Sequence, residues 1–516
     1  LPDFTWLRDN GHRIIGCIAT HGHEDHVGGL SFLLRELSFP IYGSPLSLGL
    51  ARNRIEEAGL LAKTELIPVA DGERRQIGPF DVEFIPVTHS VPHGFATAFH
   101  TPQGTILHSG DFKLDMTPVD GRLTDLALIG AMAKDEGIRL FLSDSTNADE
   151  RGHSGSETSV GKVLFDLFHQ HRGRRIVIAC FASHIHRVQQ IADAAVSFGR
   201  KVATLGLSMK KNVRLAREMG LLRIPDHALV DIDEVGDLDP GEVCVISTGS
   251  QGEPMSALAL MATRNNRWLE IGPDDTVILS SHPIPGNEMN VSKVIDGLVR
   301  LGAEVVHSGI EDVHASGHAK QEELKTMLSI VKPEYLVPVH GEYRHMVAHA
   351  KLAKAMGILD AEHVRVCVDG NQLTLEGDHE VTVAAAGRDD ARRPGAGATP
   401  HGSGGRKRAP TEACRHARGM GLDPPALDAY LRGHRRGGSA TGHGGEGCAV
   451  RGDRDHPDRR LSRGAVGGRP GGTLRVSFAV RPRRSPARRI GGACDTLPRR
   501  NRMKTLRNIL LILLVS

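Results

Sequence analysis

His21-Gly22-His23-Glu24-Asp25-His26 stands directly behind an apolar, β-rich run at residues 14–20. Four potential metal ligands fall within six residues. Imidazole supplies a neutral nitrogen and aspartate a hard oxygen, the mixture that suits zinc or manganese at a hydrolytic centre. Alternation along a loop turns His21 and His23 toward one ion and Asp25 and His26 toward a second. A strand ending in such a loop is the way layered α/β folds present their chemistry, at the carboxyl ends of strands.

The same grammar continues on either side. β-branched runs at 175–181, 243–247, 276–280 and 335–339 each lead through a turn into a helical pattern, at about 186–198, 255–262, 291–301 and 343–356. Strand, turn and helix in repetition predict an α/β fold across residues 1–387. Beyond 387 the texture changes to Gly, Arg, Pro and Ala without apolar periodicity, which predicts a disordered basic tail over 388–516.

The net charge of +3 conceals this division. Residues 388–516 hold 28 Lys and Arg against 10 Asp and Glu, leaving 36 against 51 in residues 1–387. A body of −15 does not attract nucleic acid through its overall field, so any such substrate must be held at a local site. The seven cysteines are scattered, and Cys17, Cys180, Cys244 and Cys367 lie in apolar runs. They read as buried hydrophobes in a reducing cytoplasm, not as a disulfide framework. The apolar run near the C-terminus is too short to span a bilayer, so no membrane partner is expected.

The pattern HxHxDH is the signature of the metallo-β-lactamase superfamily. On that resemblance the remaining ligands are His89 in Val87-Thr88-His89-Ser90, a bridging Asp111 in Ser109-Gly110-Asp111-Phe112, and His340 in Pro338-Val339-His340-Gly341. Neighbouring His93, His100 and His108 receive no role. Further motifs narrow the resemblance: Ser143-Asp144-Ser145-Thr146-Asn147, Phe181-Ala182-Ser183-His184-Ile185-His186-Arg187, Ser247-Thr248-Gly249-Ser250-Gln251-Gly252-Glu253-Pro254, Pro283-Ile284-Pro285-Gly286-Asn287 and His314-Ala315-Ser316-Gly317-His318. Over about residues 1–385 the chain resembles bacterial ribonuclease J, of the β-CASP nucleases.

That resemblance implies a metallo-β-lactamase αββα sandwich (1–159 and 314–387) interrupted by an α/β β-CASP domain at 160–313. It implies two Zn2+ ions per chain, with Mn2+ or Mg2+ as substitutes. His21, His23, His89 and Asp111 would hold one, and Asp25, His26, Asp111 and His340 the other. His318 would be the general acid, oriented by Asp144. The substrate would be RNA with a 5′-monophosphate end, degraded 5′→3′ and also cut internally, in RNA maturation and mRNA decay. Gly249, Ser250, Gln251 and Gly252, at a helix N-terminus, with His314, Ala315, Ser316, Gly317 and His318, would receive the terminal phosphate. Ser183, His184 and Arg187 would line the RNA path.

The chain also departs from the family. The resemblance begins abruptly at Leu1, without the family's first strands, so the sheet is expected to lose an edge and the chain to be poorly soluble or inactive. The family's C-terminal assembly domain is replaced by the Arg/Gly-rich segment, which puts the family's dimers or tetramers in doubt. Two readings of that segment stand: a basic RNA-binding tail, or out-of-frame translation. Met503-Lys504-Thr505-Leu506-Arg507 before a Leu/Ile run favours the second, since it resembles the start of an exported protein. Rival functions are a small-molecule thioesterase or lactonase, a DNA-processing β-CASP nuclease, an RNA-binding scaffold acting through the tail, and an inactive fragment.

Overall fold

The computed structural model describes residues 4–284, 286–368, 370–376, 381–385, 473–477 and 511–513. The strand expected before the His-rich loop is β1 (Gly16–Ala19), buried on both faces. Alternation decides what each face meets. Cys17 and Ala19 pack with Leu30, Leu33, Ala51 and Ile55 of the flanking helices, whereas Ile18 turns to the opposite side, among Val82, Phe84 and Phe95. β2 (Ile41–Gly43) and β3 (Leu66–Pro68) extend this sheet in parallel. The helix between them, Pro45–Glu57, starts where the Ser44 hydroxyl accepts from the Ser47 N–H at 3.2 Å and Pro45 takes the first helical position.

A second sheet follows: β4 (Arg74–Ile77), β5 (Phe80–Val87), β6 (Gly94–His100) and β7 (Thr105–His108) form an antiparallel meander, and β8 (Ile138–Asp144) runs parallel to β7. In β8, Leu140 and Leu142 face the first sheet while Phe141 packs against the helices Leu126–Asp135 and Gln321–Val331. Helix, sheet, sheet and helix therefore stack in four layers, as expected.

The chain then leaves this sandwich. The helix Glu157–Gln170 leads into a parallel sheet of β9 (Arg175–Ala179), β10 (Lys201–Leu205), β11 (Val243–Ser247), β12 (Asp275–Leu279) and β13 (Glu304–His307), ordered β10-β11-β9-β12-β13. Ile176 and Ile178 face one core, Val177 the other. β14 (Tyr335–Val339) returns to the second sheet beside β8, with Val339 opposite Asp144. That register, set by two apolar strands 190 residues apart, delivers His340 to the strand end that carries Asp144.

β15 (Asn371–Glu376) pairs with β16 (Thr382–Ala385) and buries Leu373 and Leu375 against the sandwich. The expectation of an unstructured 388–516 is corrected at two places. β17 (Thr473–Ser477) pairs antiparallel with β15, and β18 (Leu511–Leu513) lies parallel to β1. Both segments are rich in β-branched or aliphatic residues and cover strand edges whose backbone groups need partners. The rest of that region, Met503 to Arg507 included, lies outside the described residues, as does Pro285. No helix of the described residues is long and apolar enough to cross a membrane. Cys17, Cys180, Cys244 and Cys367 are buried free thiols.

Candidate metal centre

Seven side chains from four separate stretches meet at the carboxyl ends of β1, β5, β7 and β14, beside that of β8. His21 and His23 follow β1, and Asp25 and His26 lie on the short helix Glu24–Val27. His89 follows β5, Asp111 follows β7, and His340 follows β14. His340 adopts φ 53°, a left-handed conformation that a non-glycine residue takes at a cost, as functional positions often do.

Three overlapping groups of ligand atoms result: His21, His23, His89 and Asp111; Asp25, His26 and His340; and Asp111, His318 and His340. Asp111 Oδ2 joins them, 3.5 Å from His21 Nε2, 3.9 Å from His89 Nε2, 3.1 Å from His26 Nε2 and 3.3 Å from His340 Nε2. This oxygen is buried without a hydrogen-bond partner. Asp25 Oδ2 completes the second group at 3.8 Å from His26 and 3.7 Å from His340.

The tautomers show what these atoms await. Gly317 O can only accept, so His89 Nδ1–H donates to it at 2.7 Å and Nε2 keeps its lone pair. Thr146 gives its one hydroxyl proton to Asp144 Oδ1 at 2.9 Å, so its oxygen accepts from His340 Nδ1–H at 2.8 Å and His340 Nε2 faces inward. His23 Nδ1 lies 3.1 Å from His21 Nε2 and 3.0 Å from His89 Nε2, and one proton cannot satisfy both contacts. Converging nitrogen lone pairs around a partnerless carboxylate oxygen fit a divalent cation.

Electrostatics agree for His21, His23 and His89, whereas a cation would have to displace a proton from His340. Burial first, then the neighbouring imidazoles, hold His21 and His89 far below their ordinary range; His23 is pushed down to about 4. All three are therefore neutral, the ligand form. Burial alone would depress His340 too, but the carboxylates of Asp111, Asp144 and Asp25 outweigh it and raise it well above normal. Beside the cluster, His318 Nδ1 lies 2.8 Å from Asp144 Oδ2. Burial opposes its charge, yet Asp144 prevails and lifts the imidazole above its ordinary value, while Asp144 itself is held well below its own.

The remaining positions divide. Ser316 Oγ accepts from Asn147 Nδ2 at 2.7 Å, so the loop of His314, Ala315, Ser316, Gly317 and His318 is tied to the Asp144 segment. Ala315 is buried; His314 is half-buried, with its Nδ1 enclosed and unpartnered, and desolvation of the ring pushes it down to about 3. Gly249 and Gly252 take positive φ, 102° and 70°. Ser250 and Gln251 are buried, and the Gln251 amide is spent on His282 O at 2.9 Å and Ile284 N at 2.8 Å. The next helix begins only at Ala257, so this loop does not open on a helix N-terminus, contrary to expectation. His184 and Arg187 are also corrected: both are buried, facing Glu157, and do not line an open path. Ser183 is half-buried.

Four contributors escaped the sequence reading. Thr146 and Asn147 lay inside a quoted motif, but only the fold reveals their partners. Ser90 Oγ lies 3.2 Å from His23 Nε2, and the Phe181 ring approaches His23 at 6.5 Å between centroids. His93, His100 and His108 stay outside the ligand groups; His108 Nδ1 accepts from the Gly110 N–H at 2.9 Å.

Residues 3–163 match the family model of the metallo-beta-lactamase superfamily, 173–298 that of the ribonuclease J beta-CASP domain, and 302–367 that of a Zn-dependent metallo-hydrolase RNA specificity domain. Ribonuclease J 1 of Streptococcus pyogenes is 42% identical over 378 residues, 73% of this chain and 67% of that protein. The chain belongs to the ribonuclease J family. Ribonuclease J of Helicobacter pylori is 42% identical over 378 residues and that of Thermus thermophilus 44% over 363, covering 73% and 69% of this chain. The chain spans 54% of the length of the Helicobacter pylori ribonuclease J and 63% of the Thermus one. Within this chain the β-CASP match contains β9 to β12, and the RNA specificity match contains β13 and β14. Family and ligand cluster together imply a divalent metal.

Proposed function

We propose that this chain is a two-zinc ribonuclease that degrades RNA from a 5′-monophosphate end and also cuts internally. One observation carries the reading: Asp111 Oδ2, buried and unpartnered, is shared by two ligand groups with the His318–Asp144 pair alongside. The RNA substrate is supported by the names of the relatives and of the matched RNA specificity domain. The 5′-phosphate preference rests on the family resemblance of the 249–252 and 314–318 loops.

His21, His23, His89 and Asp111 would hold one ion, and Asp25, His26, Asp111 and His340 the other. Bound metal of this kind activates water near neutral pH and neutralises phosphate charge. The chain's own residues supply the rest. Asp144, held by the Thr146 N–H at 3.0 Å and the Thr146 hydroxyl, accepts from His318 Nδ1–H. That bond keeps the ring charged and fixed, with Nε2–H free to protonate the departing ribose oxygen. A thioesterase or lactonase reading accounts for the ligands but leaves this acid and the inserted sheet without a task. If 160–313 is the β-CASP insert, the helix Glu157–Gln170 belongs with it, because Val160, Leu164 and Leu167 pack into its core.

The decisive experiment combines metal analysis with digestion of 5′-monophosphorylated and 5′-triphosphorylated RNA. We expect two ions per chain, preference for the monophosphate and abolition by chelator. Cleavage that survives complete metal removal would refute the proposal. His318→Ala should retain metal while cutting turnover by about 10²–10⁴-fold, the usual contribution of a general acid; equal loss of metal and turnover would overturn the acid assignment.

A further inference from the structure

Arg187 is fully buried, and its guanidinium joins three elements. One terminal nitrogen donates to Val313 O at 2.7 Å and to the Ser280 hydroxyl; the other donates to Glu157 Oε2 at 2.5 Å. Ser280 Oγ reinforces the first contact, itself donating to Val313 O at 2.7 Å. Glu157 in turn is anchored on the sandwich side, its N–H donating to Asp115 Oδ2 at 3.0 Å. Lys113, two residues past Asp111, lies 3.3 Å from Asp115 and 3.8 Å from Glu157, and donates to Gly155 O at 2.9 Å. An unbroken buried chain of charged contacts therefore runs from the Asp111 strand end to Val313.

Stability alone is a poor reason for such a chain. Desolvating both ions offsets most of their attraction, and apolar residues of similar size often serve as well. A planar guanidinium fork does offer fixed geometry. What it fixes is the carbonyl of Val313, the residue that opens the loop carrying His318. Gly317 O meets His89 and His318 meets Asp144 only if that loop keeps its place.

We propose that the Arg187–Glu157 pair is a positioning device that sets the 313–318 loop against the metal centre and so aims His318 at the leaving oxygen. This rests on His318 acting as the general acid. Arg187 is a positioning residue, since it reaches the reaction only through the Val313 carbonyl.

The test uses two substrates of this chain, RNA and bis(p-nitrophenyl) phosphate, whose nitrophenolate departs without needing a proton. In the double variant Arg187→Met/Glu157→Gln both charges go together, so no lone ion stays buried. We expect its kcat on RNA to fall about 10–100-fold, the usual effect of losing an outer-shell partner, with KM, metal content and nitrophenyl ester turnover little changed. Arg187→Lys keeps the ion pair but lacks the fork; it should show the same selective loss in smaller measure, and it decides the matter should the double variant not fold. Equal losses on both substrates, or none on RNA, overturn the inference. A wild-type chain lacking metal-dependent cleavage of either substrate would instead sink the underlying reading, and this inference with it.

Discussion

Gly317→Ala should damage the proposed metal centre without replacing any of its ligands. Gly317 has no positive φ, so its backbone accepts alanine; the obstacle is space. A Cβ there would stand 2.7 Å from His89 Cε1, 2.8 Å from His89 Nδ1 and 2.9 Å from Ser90 Oγ, whereas ordinary contact begins at 3.4 Å. Either the His89 ring or the loop must therefore retreat by about 0.7 Å, which weakens the 2.7 Å bond from His89 Nδ1 to Gly317 O. Overpacking of this kind costs about 1–3 kcal/mol. Losing the partner that orients a ligating histidine costs about 10–100-fold in metal affinity. The two figures agree, since each factor of ten is about 1.4 kcal/mol. The assay is competition of the apo chain against a chromophoric zinc chelator. Gly29→Ala is the control: it lies three residues past His26, at φ −71° and ψ −21°, and its Cβ meets nothing within 4 Å. Wild-type affinity in Gly317→Ala, or an equal loss in Gly29→Ala, would refute the reasoning.

Thr146→Val removes the hydroxyl that accepts from His340 Nδ1 and donates to Asp144, and should weaken metal binding about tenfold, read in the same titration. The metal-free chain should lose stability as pH falls from about 6.5, the ordinary histidine value, toward 4. His349 and His314 are neutral, pushed down by desolvation to about 4 and about 3, so the unfolded chain binds more protons throughout that interval. Each contributes up to about 1.4 kcal/mol per pH unit, and His349→Leu should flatten the urea-midpoint profile by one such share; an unchanged slope contradicts this. Glu157 has the carboxylate sign. Burial opposes its charge, Arg187 more than compensates, and its folded pKa lies well below the usual value. Its contribution is complete above about 4.5 and is lost as pH falls further, so the Arg187→Met/Glu157→Gln variant should lose less stability than wild type below pH 4.5.

Much of the architecture was legible because strands buried on both faces read as short β-branched runs, and residues 243–247 and 335–339 were placed to the residue. Boundaries slipped where a strand runs on into an extended loop, as at 14–20, where the ladder itself covers only Gly16–Ala19. The proposed ligands were visible because the HxHxDH loop is dense in ligand types, and the family resemblance it carries then pointed to His89, Asp111 and His340. What orients them was not, because Thr146 and Ser90 are ordinary residues whose roles exist only in the folded chain: Thr146 meets His340 once β14 lies beside β8, and Ser90 meets His23 where the ends of β5 and β1 converge.

Arg187 shows why the rest resisted. Beside Ser183 and His184 in a polar motif, an arginine in a chain thought to bind RNA reads as a phosphate contact as long as the motif is taken by itself. Position in the helix Ile185–Ser197 says more: Arg187 is followed at i+1 and i+4 by Val188 and Ile191, both buried, which puts it on the rim of the apolar stripe. An arginine at such a rim is buried only when carboxylates and carbonyls are waiting, here Glu157 and Val313 from distant segments. Those partners come together through tertiary packing, so no local pattern could have announced them. The same packing brings His318 to Asp144 across 174 residues. The proposed acid and its distant anchor thus sit at two ends of one packed loop, residues 313–318, and this is why disturbing the anchor should be felt at His318.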